Sequence, residues 1–493
     1  MPRQMYIKQY FPLKIQLTYF PQSTIICHSS KTMHLTRSAD ALEPVMHERT
    51  SLPMRTNEPL HIDLIAHQAA QHAHQAMIDQ PLHIQLSGFH PRQPVTIHAQ
   101  SRYWNAIWQS QATFLTDDQG TVDLRSQQPL SGTYTDADPM GLFWSMRPDP
   151  TIPYEAQPYN TVMLTAEENG QPLASATLEQ LLVAPDVARI PLREHGLVGT
   201  LFLPPGPGPH PALLVLGGSR GGLDVTNALM FASHGYAALA LAYFGIEHLP
   251  SQLSSIPLEY FETAIQWMQA QPAIDGDKLG VVGWSKGGEL SLLLAATLPQ
   301  FKIAIGYVPS AVVFQGLRSE RSNTSSWSFH GNDLPYVPVL DAEPYDEDAW
   351  EDKNAWEQVH YNMKNHLPIS FTPGHLAGLR HKEAVEKATI PVEKILGPVL
   401  VISGTDDQVW PSTILSDMVI ARLAQHRHPY PYKHLRYEGA GHTIGIPYQP
   451  TTVTESNFGH FKMALGGTPQ ANAFARHDSW PQVLNFLAQR LQS

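Results

Sequence analysis

The chain has 493 residues, 42% of them hydrophobic, which is enough for two globular domains with buried cores and excludes a disordered protein. It carries 44 acidic against 32 basic residues, a net charge of −12, which argues against nucleic acid or an anionic membrane surface as the main partner. The single cysteine, Cys27, excludes an internal disulfide framework and a cysteine-based metal site, and no apolar run is long enough to span a bilayer.

The first 55 residues form a mildly basic leader that we predict to be disordered. Prolines and lysines interrupt every apolar stretch, so the leader makes a poor signal peptide, and a functional start at Met33 is an alternative. A cytoplasmic location is therefore predicted, with a periplasmic one left open. The histidine-rich tract at residues 67–75 has no metal-ligand spacing and is interpreted as a polar surface segment.

Residues 56–190 contain short segments that alternate between apolar and polar positions. Leu82 to Leu86 and Val95 to Ala99 alternate at period two, and residues 108–124 are typical of a hairpin. This spacing predicts an antiparallel β-sandwich of immunoglobulin-like type. Nothing in it clusters like a catalytic site.

Residues 191–493 follow a strand–helix–strand pattern. Continuous apolar runs at 211–216, 236–241, 279–284 and 399–403 are typical of parallel strands buried on both faces, so we predict a mostly parallel sheet with helices on both faces. A last strand is predicted at Tyr432 to Tyr437 and a closing helix at Trp480 to Leu491. The alternation stops between about 318 and 394, which indicates an insertion acting as a cap, lid or surface loop. Its acidic run, Asp341 to Asp352, is interpreted as a solvated face and not a calcium site.

A G-x-S-x-G motif at Gly283 to Gly287 lies between an apolar strand and a helix-forming segment. That context is the one a nucleophile elbow requires, because only a sharp strand-to-helix turn lifts a serine oxygen above the sheet. Ser285 is therefore the predicted nucleophile of an α/β hydrolase fold.

A serine nucleophile needs a histidine base and a carboxylate that orients it. Asp406 and Asp407 follow the strand ending at Ser403, and we predict Asp407 as the acid, with Asp406 as the alternative. His442 follows the last strand and is the predicted base, which matches the Ser–acid–His order of this fold.

The oxyanion hole needs two backbone N–H donors. One is predicted at Lys286, the residue after the nucleophile, and the other at Ser219 or Gly218 after an earlier strand. No metal and no redox cofactor is implied.

Further motifs resemble the acyl-CoA thioesterase / bile acid-CoA:amino acid N-acyltransferase (BAAT) family. They cover residues from about 80 to the end and are Gln93–Thr96, Pro139–Trp144, Gly199–Pro205, Gly221–Leu223, Ala240–Tyr243, Leu258–Glu262, Ser285–Leu290, Asp406–Asp407 with Trp410, Gly441–His442 and Pro447–Tyr448.

The resemblance implies an immunoglobulin-like domain followed by an α/β-hydrolase domain, with the triad on Ser285, Asp407 and His442. It implies a serine esterase of acyl-CoA and fatty acid metabolism, in which CoA is part of the substrate. In the acyltransferase branch the nucleophile resembles a cysteine, so Ser285 favours water as acyl acceptor. Arg220 and Trp284 are predicted substrate contacts, although a plain surface role for Arg220 stays open.

Three other functions stay open at this stage. They are a general carboxylesterase or dienelactone-hydrolase-like enzyme, an acyl-CoA:amino acid N-acyltransferase, and a non-catalytic binding protein. The intact Ser–Asp–His set counts against the last. The sequence does not define the acyl chain length or the oligomeric state, whether monomer or homo-oligomer.

Overall fold

The computed structural model describes residues 61–66, 75–104, 106–152, 161–317, 323–339, 353–458 and 461–492. The predictions for the leader, for the acidic run and for all but the last residue of the histidine-rich tract concern residues outside these ranges. Residues 52–493 belong to one compact unit.

The first ten strands build two sheets around one apolar core. The smaller sheet has the order β1-β3-β6, and the larger has the order β2-β10-β9-β4-β5-β7, with β8 paired to β5. In β4, Val95, Ile97 and Ala99 point into the core, as period two requires. The strands are β1 (His61–Ala66), β2 (Gln75–Met77), β3 (Leu82–Ser87), β4 (Pro94–Tyr103), β5 (Ala106–Leu115), β6 (Val122–Asp123), β7 (Ser131–Gly132), β8 (Arg147–Asp149), β9 (Thr161–Glu168) and β10 (Gln171–Leu181).

An eight-stranded sheet forms the centre of the rest of the chain, with the order β11-β12-β14-β13-β16-β17-β21-β22. Only β12 runs against its neighbours, and the strands from β14 to β22 are parallel. This is the α/β hydrolase fold expected from the elbow motif. The strands are β11 (Ala188–Leu192), β12 (Val198–Leu203), β13 (His210–Leu216), β14 (Ala237–Ala242), β16 (Ile274–Trp284), β17 (Phe301–Tyr307), β21 (Val399–Gly404) and β22 (Tyr432–Tyr437).

Helices cover both faces of this sheet, which is why its strands are continuously apolar. Along β13, Leu214 packs on one face and Leu213 and Val215 on the other, and all three are fully buried. Helix α1 (Gly141–Trp144) packs instead in the core of the early sheets. The other helices in the described ranges are α2 (Val225–Ser233), α3 (Glu259–Gln269), α4 (Lys286–Thr297), α5 (Lys353–Lys364), α6 (Thr372–Leu379), α7 (Lys382–Ala388), α8 (Ser412–Gln425) and α9 (Pro469–Leu487).

The closing helix is longer than the sequence predicted. It begins at Pro469, with the Thr468 side chain accepting from the Ala471 N–H, and it continues past Pro481. The prediction of a start at Trp480 was wrong because the first half of the helix is mostly polar and its apolar spacing is weak. A short π-helix at Ala488–Gln492 follows.

The insertion contains regular structure in its described parts. Besides α5, α6, α7 and a 3-10 turn at Val392–Lys394, it holds short strands that pair outside the main sheet. One of them pairs with the short strand Ile256–Pro257, which precedes α3, and a second pairs with the first. The third pairs with a hairpin that follows the histidine loop. These small-sheet strands are β15 (Ile256–Pro257), β18 (Trp327–Phe329), β19 (Asn332–Asp333), β20 (Pro368–Ile369), β23 (Glu455–Phe458) and β24 (Phe461–Ala464).

The early sheets and the central sheet share polar contacts. Asp79, whose side chain is 3% exposed, accepts from the Trp480 indole N–H at 2.7 Å and contacts His234 at 2.6 Å. The loop after His442 also contacts the early part of the chain, since the Thr451 N–H donates to the Trp144 carbonyl at 3.0 Å. Tyr448 from the same loop packs in the core of the early sheets.

Candidate active site

Ser285 occupies a one-residue turn between β16 and α4. Its backbone angles are φ 56° and ψ −120°, in a region that non-glycine residues seldom adopt. The turn is held by its own backbone: the Ser285 N–H donates to Tyr307 O at 2.9 Å, and Ser285 O accepts from Glu289 N at 3.0 Å. The strained serine is thus presented at the carboxyl edge of the central sheet.

The glycines of the motif let strand and helix approach at this turn. A Cβ on Gly283 would lie 2.0 Å from Gly287 O, and one on Gly287 would lie 2.4 Å from both Gly217 O and Leu216 O. These neighbours are backbone atoms and cannot rotate away. The G-x-S-x-G pattern is therefore a packing requirement here.

Asp407 and His442 meet at the same edge of the sheet, in the loops after β21 and β22. His442 Nδ1 lies 2.8 Å and 3.0 Å from the two carboxylate oxygens of Asp407, whose side chain is 1% exposed. Oδ1 of Asp407 also accepts from the backbone N–H groups of Val409 and Trp410. A carboxylate held in this way fixes the hydrogen on Nδ1 and leaves Nε2 to exchange protons.

Asp406 faces a different partner. Its carboxylate accepts from the Gly467 N–H at 2.9 Å and from the Gln408 side chain at 2.6 Å. It therefore ties its own turn to the segment that precedes α9. Of the two acids that the sequence left open, only Asp407 contacts the histidine.

Trp284 links the elbow to the histidine loop. Its indole N–H donates to Ile444 O at 3.1 Å, two residues beyond His442, and its ring stacks on Tyr307 at 4.5 Å. These contacts give Trp284 a supporting position. Its predicted contact with substrate stays a prediction.

The loop after β13 lies against the nucleophile. A Cβ built on Gly218 would be 3.8 Å from Ser285 Oγ, whereas Ser219 is the exposed next residue of the turn. Lys286 is the first residue of α4, so its backbone N–H has no acceptor within the helix. Arg220 donates to the Ser456 hydroxyl at 2.6 Å. The assignments of the oxyanion donors and of Arg220 as a substrate contact stay predictions.

The Lys286 side chain forms a buried ion pair that sequence reasoning missed. Its Nζ lies 2.8 Å and 2.9 Å from the carboxylate oxygens of Glu289, and the side chains are 4% and 0% exposed. Trp327 of the insertion donates its indole N–H to the same carboxylate at 2.7 Å. Burial lowers the pKa of Lys286 and raises the pKa of Glu289, and the pairing opposes both shifts. The i,i+3 spacing in K-G-G-E was the available signal.

The insertion also contacts the loop of the candidate acid. Helix α6 and the residues before it are fixed to that loop, since the Phe371 N–H and the Ser370 hydroxyl donate to Gln408 O and the Thr372 hydroxyl donates to Asp407 O at 2.8 Å. His375 on this helix is 9% exposed, and its ring contacts Phe314 and Trp410 edge-on. Trp410 in turn contacts the His442 ring, with centroids 6.1 Å apart. No sequence signal distinguished His375 from the other histidines.

Within the described ranges, no group of three or more His, Cys, Asp or Glu side chains is arranged to hold a metal ion. No helix among the same residues is long and apolar enough to cross a membrane.

Two family models match the chain. The model described as the N-terminal region of acyl-CoA thioester hydrolase/BAAT matches residues 79–194, and the BAAT / acyl-CoA thioester hydrolase C-terminal model matches residues 256–493.

Two Mus musculus relatives align over 84% of this chain. Acyl-coenzyme A thioesterase 1 is 32% identical and covered over 94% of its length, and acyl-coenzyme A amino acid N-acyltransferase 1 is 31% identical and covered over 96%. Among solved structures, a putative dienelactone hydrolase from Klebsiella pneumoniae covers 62% of this chain and 98% of that chain at 15% identity, with a TM-score of 0.36.

Proposed function

The chain belongs to the BAAT/acyl-CoA thioester hydrolase family, and we propose that it hydrolyses acyl-CoA thioesters to a free acid and CoA through an acyl-enzyme on Ser285. The observation that carries the proposal is the Asp407–His442 pair, with its 2.8 Å contact, at the same sheet edge as the strained serine. This chain covers 94% of the length of the relative named acyl-coenzyme A thioesterase 1, and that name supports acyl-CoA as the substrate class.

In the first half-reaction, Ser285 Oγ attacks the thioester carbonyl carbon while His442 Nε2 takes the hydroxyl proton. Asp407 holds Nδ1 and stabilises the imidazolium that forms. The backbone N–H groups of Lys286 and of Ser219 or Gly218 donate to the oxyanion. The carbon–sulfur bond then breaks, His442 returns the proton to sulfur, and CoA leaves.

In the second half-reaction, water attacks the acyl-enzyme. His442 removes one water proton, and the oxyanion occupies the same N–H donors. Collapse breaks the bond between the acyl carbon and Ser285 Oγ while His442 returns the proton to Oγ, which releases the acid and restores the Ser285 hydroxyl. No group outside the chain and the two substrates is needed to balance either step.

The test measures hydrolysis of an acyl-CoA chain-length panel through the release of free thiol. Labelling with a fluorophosphonate probe reports whether the protein has a reactive serine. Ser285→Ala and Asp407→Asn should each reduce kcat by on the order of 10⁴-fold or more. Asp406→Asn is the matched control, because Asp406 contacts Gly467 and not the histidine, and it should keep most of the activity. Near-wild-type hydrolysis by Ser285→Ala would refute the proposal.

A second candidate is acyl transfer from CoA to an amino acid. It is favoured by the amino acid N-acyltransferase relative, which is 31% identical over 84% of this chain. Mass spectrometry of products formed with glycine or taurine present would detect an amide. Matching oxyesters run beside the acyl-CoA panel would distinguish a general carboxylesterase.

A further inference from the structure

His375 is a nearly buried imidazole on the insertion helix that the proposed triad does not use. Its Nδ1 lies 2.9 Å from Phe371 O. A carbonyl oxygen only accepts hydrogen bonds, so Nδ1 carries the hydrogen and Nε2 carries the lone pair of a neutral ring. Nε2 is therefore a hydrogen-bond acceptor and not a donor.

Nε2 of His375 has no partner in the part of the chain that the structure describes, although the residue is only 9% exposed. This nitrogen is not fully enclosed by the described residues, so it borders accessible space. Polar atoms at such depth are normally satisfied by protein, water or ligand. This acceptor is open to a bound molecule.

The surroundings of His375 place that acceptor beside the chemistry. Its ring centroid is 4.8 Å from that of Phe314 and 5.8 Å from that of Trp410, both edge-on, and Trp410 contacts His442. The helix cannot drift from this position easily, because its first residues are hydrogen-bonded to the backbone of Asp407 and Gln408. A ligand group at Nε2 would lie one aromatic ring away from the catalytic histidine.

The chemistry of an acceptor lone pair selects the ligand group. It repels an oxyanion, a carboxylate or a phosphate, and a hydrocarbon acyl chain offers it nothing. In an acyl-CoA, the donors close to the thioester are the amide N–H groups of the pantetheine arm.

We propose that His375 Nε2 accepts a hydrogen bond from a pantetheine amide N–H of the thiol part of the substrate, so that the insertion recognises the CoA arm. The inference rests on the proposed thioesterase function and adds a substrate-binding residue to it.

The test compares three octanoyl thioesters: octanoyl-CoA, octanoyl-N-acetylcysteamine, which keeps one amide N–H, and S-ethyl thiooctanoate, which has none. His375→Phe removes the acceptor at similar size. It should lower kcat/KM about 10-fold for the two amide-bearing substrates, chiefly through KM, and leave S-ethyl thiooctanoate within about twofold. His375→Gln, which retains an acceptor oxygen, should restore most of the loss.

Activity on S-ethyl thiooctanoate reports whether each variant is folded, and His375→Met is the second variant if the phenylalanine is not accommodated. An equal loss on all three thioesters, as expected if His375 orders the attacking water, would overturn the inference, and so would no loss on any. If the chain-length panel favours another acyl group, the three thioesters carry that group instead of octanoyl. A wild-type protein that hydrolyses no acyl-CoA in the panel refutes the proposed function instead.

Discussion

Removing Glu289 should destabilise the protein far more than an ordinary surface carboxylate does. Glu289→Ala leaves the Lys286 ammonium, with a side chain 4% exposed, without its partner and deprives the Trp327 indole N–H of its acceptor. Loss of one member of a buried ion pair costs about 3–5 kcal/mol, and an unsatisfied buried donor adds about 1–3 kcal/mol when the site cannot relax. We therefore expect the free energy of unfolding to fall by at least about 3 kcal/mol.

Two further variants test whether the expected destabilisation comes from an unpaired buried charge. Glu383 and Lys387 form an i,i+4 pair at 2.6 Å with side chains 83% and 63% exposed, so Glu383→Ala should leave the unfolding midpoint close to that of wild type. In the double variant Lys286→Met with Glu289→Gln, no buried charge remains and the glutamine oxygen still accepts from Trp327. That variant should recover most of the loss, because replacing both partners of a buried pair is often close to neutral.

The assay is guanidinium chloride unfolding followed by tryptophan fluorescence, with the midpoint and slope compared among the variants. The reasoning fails if Glu289→Ala is no more destabilising than Glu383→Ala. It also fails if the double variant is no more stable than Glu289→Ala.

Two other predictions concern the elbow and the insertion. Gly283→Ala should abolish activity and lower soluble yield, because the added Cβ would lie 2.0 Å from Gly287 O. Gly445→Ala is the control and should behave as wild type, since no atom lies within 4 Å of its Cβ. Comparable activity for the two variants would contradict the packing argument. Burial lowers the pKa of His375 from 6.5 to about 4, with a smaller contribution from Lys286 and His442, and the Phe371 carbonyl and the Asp407 carboxylate oppose this shift. As the pH falls through that interval, the unfolded chain therefore binds a proton that the folded chain does not. Wild type should therefore lose about 3 kcal/mol more unfolding free energy than His375→Phe between pH 7 and pH 4, measured by denaturation at each pH, and equal losses would contradict the argument.

Local pattern was sufficient to predict the sheet and the elbow. Strands buried on both faces are continuously apolar, and parallel strands end at a common edge, so Ser285, Asp407 and His442 could be placed at that edge from their position after successive strands. Local pattern could not decide whether Asp406 or Asp407 contacts His442, because both residues follow the same strand.

The parts that sequence reasoning missed depend on distant contacts. Lys286 was considered only for its backbone N–H, since nothing local indicated that Trp327 would close over its side chain. Helix α6 lies in a segment without clear periodicity, and its position depends on hydrogen bonds to the Asp407–Gln408 backbone. His375 became a candidate only once that docking was visible.

The polar contacts between the early sheets and the central sheet restrict how this protein can be divided. A fragment beginning at residue 191 would lose Asp79, the acceptor for the Trp480 indole N–H, and the Trp144 carbonyl that receives the Thr451 N–H. It would also expose Tyr448, six residues after His442, which packs in the core of the missing sheets. The histidine loop therefore depends on residues more than 250 positions earlier in the chain. If this hydrolase were fused to a foreign N-terminal domain, that domain would have to provide equivalent hydrogen-bond acceptors and an apolar core around Tyr448.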